Sequence, residues 1–63
     1  MGDWISVKDR LPFDGAVNLL YTEEDAIVIG RIIDLDFRYY PSEKRMSETV
    51  THWQPLPEPP KEE

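Results

Sequence analysis

Val17-Asn18-Leu19-Leu20-Tyr21-Thr22, then Glu23-Glu24-Asp25, then Ala26-Ile27-Val28-Ile29-Gly30-Arg31-Ile32-Ile33-Asp34 is the stretch whose reading decides the fold. Side chains alternate across a strand, so Val17, Leu19 and Tyr21 share one face while Asn18, Leu20 and Thr22 share the other. The three acidic residues have the length and polarity of a hairpin connection. Ala26 to Asp34 is rich in β-branched residues, which favour a pleated surface. Ile27, Ile29, Arg31 and Ile33 fall on one face; Ala26, Val28, Gly30 and Ile32 fall on the other. A strand apolar on both faces predicts a central position covered on both sides, or a strand that curls. Gly30 marks a bulge or a close approach, an indole ring being the expected neighbour.

Working outward, Asp36 to Tyr40 reads as a third strand, with Phe37 and Tyr39 opposite Arg38 and Tyr40. Pro41 to Glu48 is polar and reads as a mobile loop with at most one helical turn. Val50 to Trp53 resumes a short strand. The run from Pro55 to Pro60 lacks ladder donors, so it predicts an extended polyproline strap along the sheet, followed by a frayed acidic end at Lys61-Glu62-Glu63. Toward the N-terminus, Ser6-Val7-Lys8-Asp9 fits a capping box over one helical turn, and Pro12 ends it. Pro12-Phe13-Asp14-Gly15 is a turn signal in which Gly15 supplies a positive φ. The expected fold is one mainly β domain over residues 1–63. It is a small antiparallel meander of three or four strands, twisted or partly closed, with both ends packed over one face.

Sixty-three residues bury only ~60% of the surface that the unfolded chain exposes, so such a domain needs reinforcement. The two ends are the expected clasp. Trp4, Leu11, Pro12 and Gly15 come from one end and Trp53 and Leu56 from the other, with Gly30 between, as the structural positions. Trp4, Trp53 and Phe37 are the expected aromatic core. There is no cysteine, which excludes disulfides and fits a reducing cytoplasm. The longest apolar stretch, Ala26 to Ile33, is interrupted and too short to span a bilayer. Thirteen acidic against seven basic residues give a net charge of −6. That balance disfavours direct nucleic-acid binding and favours a basic protein partner.

Two motifs carry a family resemblance. The chain opens with Trp4-Ile5-Ser6-Val7 leading to Arg10-Leu11-Pro12 and closes with Thr51-His52-Trp53 followed by Pro55-Leu56-Pro57-Glu58-Pro59-Pro60. In both it resembles the phage and prophage family catalogued as domain of unknown function 551. The likeness extends through the Gly15 turn, Leu19-Leu20-Tyr21 and Ile29-Gly30. Gln54 departs from a methionine common there. The resemblance implies a phage or prophage origin, with no assigned activity and no catalytic residue to carry over.

The residues themselves offer little catalytic equipment. A lone histidine, His52, with Asp34 and Asp36 falls short of the three or four supported ligands that a metal site usually needs. Ser6, Ser42 and Ser47 lack the glycines of a nucleophile elbow. Gly2, Gly15 and Gly30 are too scattered to cradle a phosphate. Pro57-Glu58-Pro59-Pro60 matches the loose PxxP pattern of SH3-type ligands, but a structural strap is the stronger reading.

The expectation is therefore a non-enzymatic phage-type accessory protein without cofactor, acting in the host bacterial cytoplasm. It would bind an unidentified host or defence protein, such as a CRISPR effector whose basic channel suits an acidic surface. The candidate binding residues are the acidic connection Glu23, Glu24 and Asp25, then Arg38 with Tyr39 and Tyr40, then Lys44 and Arg45 in the polar loop. Of the two tyrosines, which point to opposite faces, one should be exposed. The alternative is a β module that binds single-stranded nucleic acid or a small ligand through Arg31, Arg38, Lys44, Arg45 and the tyrosines. A homodimer paired through a sheet edge is a third possibility.

Overall fold

The computed structural model describes residues 3–56, and they form a single antiparallel sheet of five strands. In chain order these are β1 (Ile5–Ser6), β2 (Val17–Thr22), β3 (Ile27–Ile33), β4 (Asp36–Tyr39) and β5 (Val50–Pro55). Their spatial order is β1-β5-β2-β3-β4. The sheet is thus mainly β and antiparallel, as expected, but it is open, and it is no simple meander. β5 returns from the far side of the chain to lie between β1 and β2. The two end motifs are consequently hydrogen-bonded neighbours: Ile5 faces Trp53, and Ser6 faces His52. β1 forms one edge of the sheet, and the rest of the first motif turns back against Trp53, with Val7 packed on the core.

The β2–β3 hairpin keeps the acidic connection. Asp25 takes a positive φ of 63°, and its amide donates to the Thr22 carbonyl at 3.0 Å. The buried Thr22 hydroxyl accepts from the amides of Glu24 and Ala26, which satisfies the loop from within. Between β3 and β4, Ile33 pairs with Asp36, and Asp34 and Leu35 both have positive φ (51° and 71°). That is the two-residue hairpin geometry which matches sheet twist. Opposite Tyr21 and Thr22, β5 carries a bulge at Thr51. The extra residue returns Val50 to the same face as Trp53, so both are buried.

The covered face holds the core. Leu20, Met46, Val50 and Trp53 form its buried centre, with Ile5, Val7, Val28, Phe37 and Tyr39 packed around them. Gly30 is required here by close approach. A Cβ would lie 2.4 Å from the Arg38 carbonyl oxygen and 2.7 Å from Leu20 Cδ1. Neither a bulge nor an indole occupies that place. The bulge is on β5, and the neighbours are a backbone and a leucine.

Four further expectations change. Residues 7–9 make a hydrogen-bonded turn and no helix forms. The Ser6 carbonyl accepts from Asp9 and Arg10, while the Ser6 hydroxyl takes the Lys8 amide at 3.1 Å, so the capping box is replaced by a tighter local bond. The segment after β4 is not loose: its backbone bonds back through Met46 N to Phe37 O and Tyr39 N to Lys44 O, and Met46 enters the core. Pro55 is the last residue of β5, facing Asn18, where its missing donor falls at a strand end. The rest of the expected strap, from Pro57, lies outside the described residues. Trp4 is 36% exposed and stands outside the core.

Candidate functional site

The sheet's second face is apolar and open. Cross-strand partners share a face, so Val17, Leu19 and Tyr21 of β2 stand beside Arg31, Ile29 and Ile27 of β3. His52 and Gln54 of β5 flank them on one side and Arg38 of β4 on the other. Tyr40, whose amide donates to the Ile29 carbonyl at 3.0 Å, prolongs β4 on this face. Ile27 is 59% exposed and Ile29 44%. An antiparallel sheet with one wet face normally alternates apolar inward with polar outward. Here β3 carries apolar residues on both sides, and among the described residues the Ile27–Ile29 stretch of this face is left exposed.

At one end of this face Trp4, Tyr21 and His52 line a recess of ≈ 330 Å³. Trp4 and Tyr21 have ring centroids 5.6 Å apart with planes tilted by 47°, and His52 meets Tyr21 edge-on at 6.2 Å. The Tyr21 hydroxyl donates to Asp25 Oδ1 at 2.6 Å. That bond raises the Tyr21 pKa above its ordinary value, with desolvation and the charge of Asp25 adding to it. One ring of the recess thus holds the hairpin carboxylate through its hydroxyl.

At the opposite end Arg31 is a clamp. Its guanidinium pairs with the Glu43 carboxylate, donates to the Gly15 carbonyl at 3.4 Å and stacks on Tyr40 with 5.6 Å to the ring centroid. Arg38 donates to the Glu43 backbone carbonyl at 3.1 Å, and Arg45 pairs with Asp36 at 3.4 Å. These arginines bind the 40–46 segment to the sheet.

The expected site residues therefore divide. Glu23, Glu24 and Asp25 crown the hairpin, and of the three Asp25 bonds to a ring of the aromatic recess. Arg38, Tyr40 and Arg45 lie at the far corner, with exposed Lys44 beside them. Tyr39 leaves the group. It lies on the covered side, and its hydroxyl donates to the Glu48 carboxylate at 2.6 and 2.7 Å. This bond lowers the Glu48 pKa and raises that of Tyr39. Tyr40 is the exposed tyrosine of the pair. His52 lies on β5, apart from Asp34 and Asp36 at the β3–β4 turn. Among the described residues no group of three His, Cys, Asp or Glu side chains could hold a metal ion.

Both end motifs also line a second cleft of ≈ 530 Å³, bounded by Arg10, Leu11, Phe13, Trp53 and Leu56 among others. The Trp53 indole N–H donates to the Arg10 carbonyl at 3.0 Å, and Pro12, two residues on, is buried. Leu11 and Phe13 are 46% and 88% exposed, so Leu11 forms a rim here and not a clasp. Ile27, Ile29 and Trp4 are the open-face residues that reasoning from sequence placed elsewhere. Their signal was the two-sided apolar pattern of β3, which reads equally as a strand covered twice.

Fold and surface together define a small β module with one closed and one open face. A family model described as "Protein of unknown function (DUF551)" matches residues 3–61, and the chain belongs to that family. No curated protein and no solved structure matches it.

Proposed function

We propose that the protein is a non-enzymatic binding module that docks another protein onto the open face of its sheet. The observation carrying this reading is the exposure of Ile27 and Ile29 on β3 of that face, together with exposed Trp4 and Tyr40. A contiguous apolar patch on a small domain is unfavourable in water unless something covers it, and such patches mark interaction sites. Aromatic anchors around an aliphatic centre are the composition of interface hot spots. The net charge of −6 favours a basic partner. The likeness to phage and prophage sequences points to a host protein, and a defence complex with a basic nucleic-acid channel is one such partner. Cytoplasmic action in a host bacterium follows from the same reading.

Single-stranded nucleic acid draws less support. Arg31, Arg38 and Arg45 are each engaged by the protein's own carboxylates or carbonyls. Edge pairing of two copies is also less favoured. β1 offers two residues, and the outer side of β4 is met by the Arg38–Arg45 bridge.

The test is a capture experiment with wild-type protein and Ile29→Lys. A specific partner recovered by the wild type should be lost with the lysine variant, whose thermal unfolding should match the wild type. Retention of that partner by a folded Ile29→Lys variant would refute docking through this face.

A further inference from the structure

The aromatic side chains around the sheet differ in how they meet cations. Arg10 lies over the Trp53 ring at 5.8 Å, and Arg31 over the Tyr40 ring at 5.6 Å. Each of those π faces is served by an arginine of the same chain. The Trp4–Tyr21–His52 recess gathers three aromatic rings, and the arginine–ring contacts among the described residues fall on Trp53 and Tyr40 instead. One carboxylate adjoins it: Asp25 is bonded to the Tyr21 hydroxyl.

On the reading that this face docks a protein, we propose that the recess accepts an arginine side chain of the partner. A guanidinium is planar, weakly hydrated and able to stack on an aromatic face while its N–H groups reach a carboxylate. The rings of Trp4 and Tyr21, 5.6 Å apart and inclined, are too close to sandwich a flat group. The guanidinium therefore lies across the mouth of the wedge, stacked on the indole, with its edge toward Asp25. One Asp25 oxygen already accepts the Tyr21 hydroxyl, and a carboxylate keeps further lone pairs for a second donor. Lysine carries a compact, strongly hydrated charge and gains less from such a surface. A nucleobase could also stack here, but its phosphates would meet the acidic hairpin tip, the wrong sign for a strand.

The experiment is an NMR titration of the full chain with acetyl-argininamide, set against the uncharged citrulline analogue and oligothymidylate. Saturable shifts of the Trp4 indole, Tyr21 and His52 are expected with the arginine probe alone, while the Trp53 indole stays in place. Trp4→Leu should abolish the response, and Trp4→Phe should keep part of it. Asp25→Asn, which leaves a hydrogen-bond acceptor for Tyr21 while removing the charge, should weaken it several-fold. This last variant serves if Trp4→Leu fails to fold.

Equal shifts with the citrulline analogue would overturn the proposal, as would a stronger response to oligothymidylate or no response at all. Failure here differs from failure of the docking reading. If a captured partner is lost with Ile29→Lys but the arginine probe is silent, the face is an interface and the recess is not its arginine pocket. If Ile29→Lys keeps the partner, docking itself is wrong.

Discussion

Leu19 and Leu20 are adjacent, chemically identical and in the same strand, yet they live on different surfaces. Leu20 is fully buried beneath Trp53, Met46 and Val50. Leu19 stands half-buried beside Ile29 on the open face. The difference lies in what the rest of the chain does. Two connections, 7–14 and 40–49, close over one side of the sheet and contribute Val7 and Met46, while on the other side the described residues cover only the Arg31 end. Apolar character therefore means core on one face and contact surface on the other, and only the long-range packing distinguishes them.

Truncating the two leucines would break this comparison most sharply. Leu20→Ala removes a side chain from a site that loops on one side and the sheet on the other hold closed. It should cost about 3 kcal/mol, within the range for buried leucines. A domain this small holds only about 3–5 kcal/mol in total, so about 0–2 kcal/mol would remain, and the variant should be partly unfolded at room temperature by circular dichroism with a strongly lowered Tm. Leu19→Ala, already half in water, should cost less than about 1 kcal/mol. Equal losses for the two would mean that the open face is covered in solution, by a second copy or by residues beyond Leu56.

Much of the closed half was legible in the sequence. Period-2 alternation placed β2, β3 and β4 almost to the residue, and the Trp-bearing ends did come together. The strand order was not legible, because inserting β5 between β1 and β2 is a pairing between residues some thirty to fifty apart that no local pattern encodes. Met46 was hidden inside a polar segment whose backbone bonds to β4 appear only once the sheet exists. Trp4 misled for a different reason. An indole beside Ile5 looks like core, but alternation puts Ile5 on the covered side and hence Trp4 on the other. The open face was written in Ile27 and Ile29. It was misread because a strand apolar on both sides says that two surfaces need cover without saying what supplies it.

A substitution away from both faces tests the frame that separates them. Leu35 is exposed and holds φ at 71° in the β3–β4 hairpin. A left-handed conformation costs a non-glycine residue about 1–2 kcal/mol. Leu35→Gly relieves that strain but adds entropy to the unfolded chain, so the net gain should be about 0.5–1 kcal/mol. For a domain of this length that raises Tm by roughly 2–8 °C, measured by thermal denaturation. A fall in Tm would show that Leu35 makes a contact in solution that offsets its backbone strain.

The smallest effect separates the two tyrosine–carboxylate pairs, one on each face. On the covered side, Tyr39 donates to Glu48, whose folded pKa is thereby lowered, while that of Tyr39 is raised. A carboxyl depressed on folding contributes stability that is present above its unfolded pKa, near 4.5, and lost as pH falls through the folded value. A phenol raised on folding contributes stability that is present below its unfolded pKa, near 10, and lost as pH rises through the folded value. Tyr39→Phe removes both, so it should flatten the stability profile at the acid and the alkaline end, with its full penalty in between, where the pair contributes most. Tyr21 on the open face is raised by Asp25 in the same sense, so Tyr21→Phe should flatten the alkaline limb. It should also release the carboxylate from the aromatic recess, which Tyr39→Phe does not touch. Urea titrations at acid, neutral and alkaline pH would read the stability of both variants, and the acetyl-argininamide response would read the recess. If Tyr39→Phe altered that response as much as Tyr21→Phe, the two faces would be coupled through the sheet and could not be treated as separate surfaces.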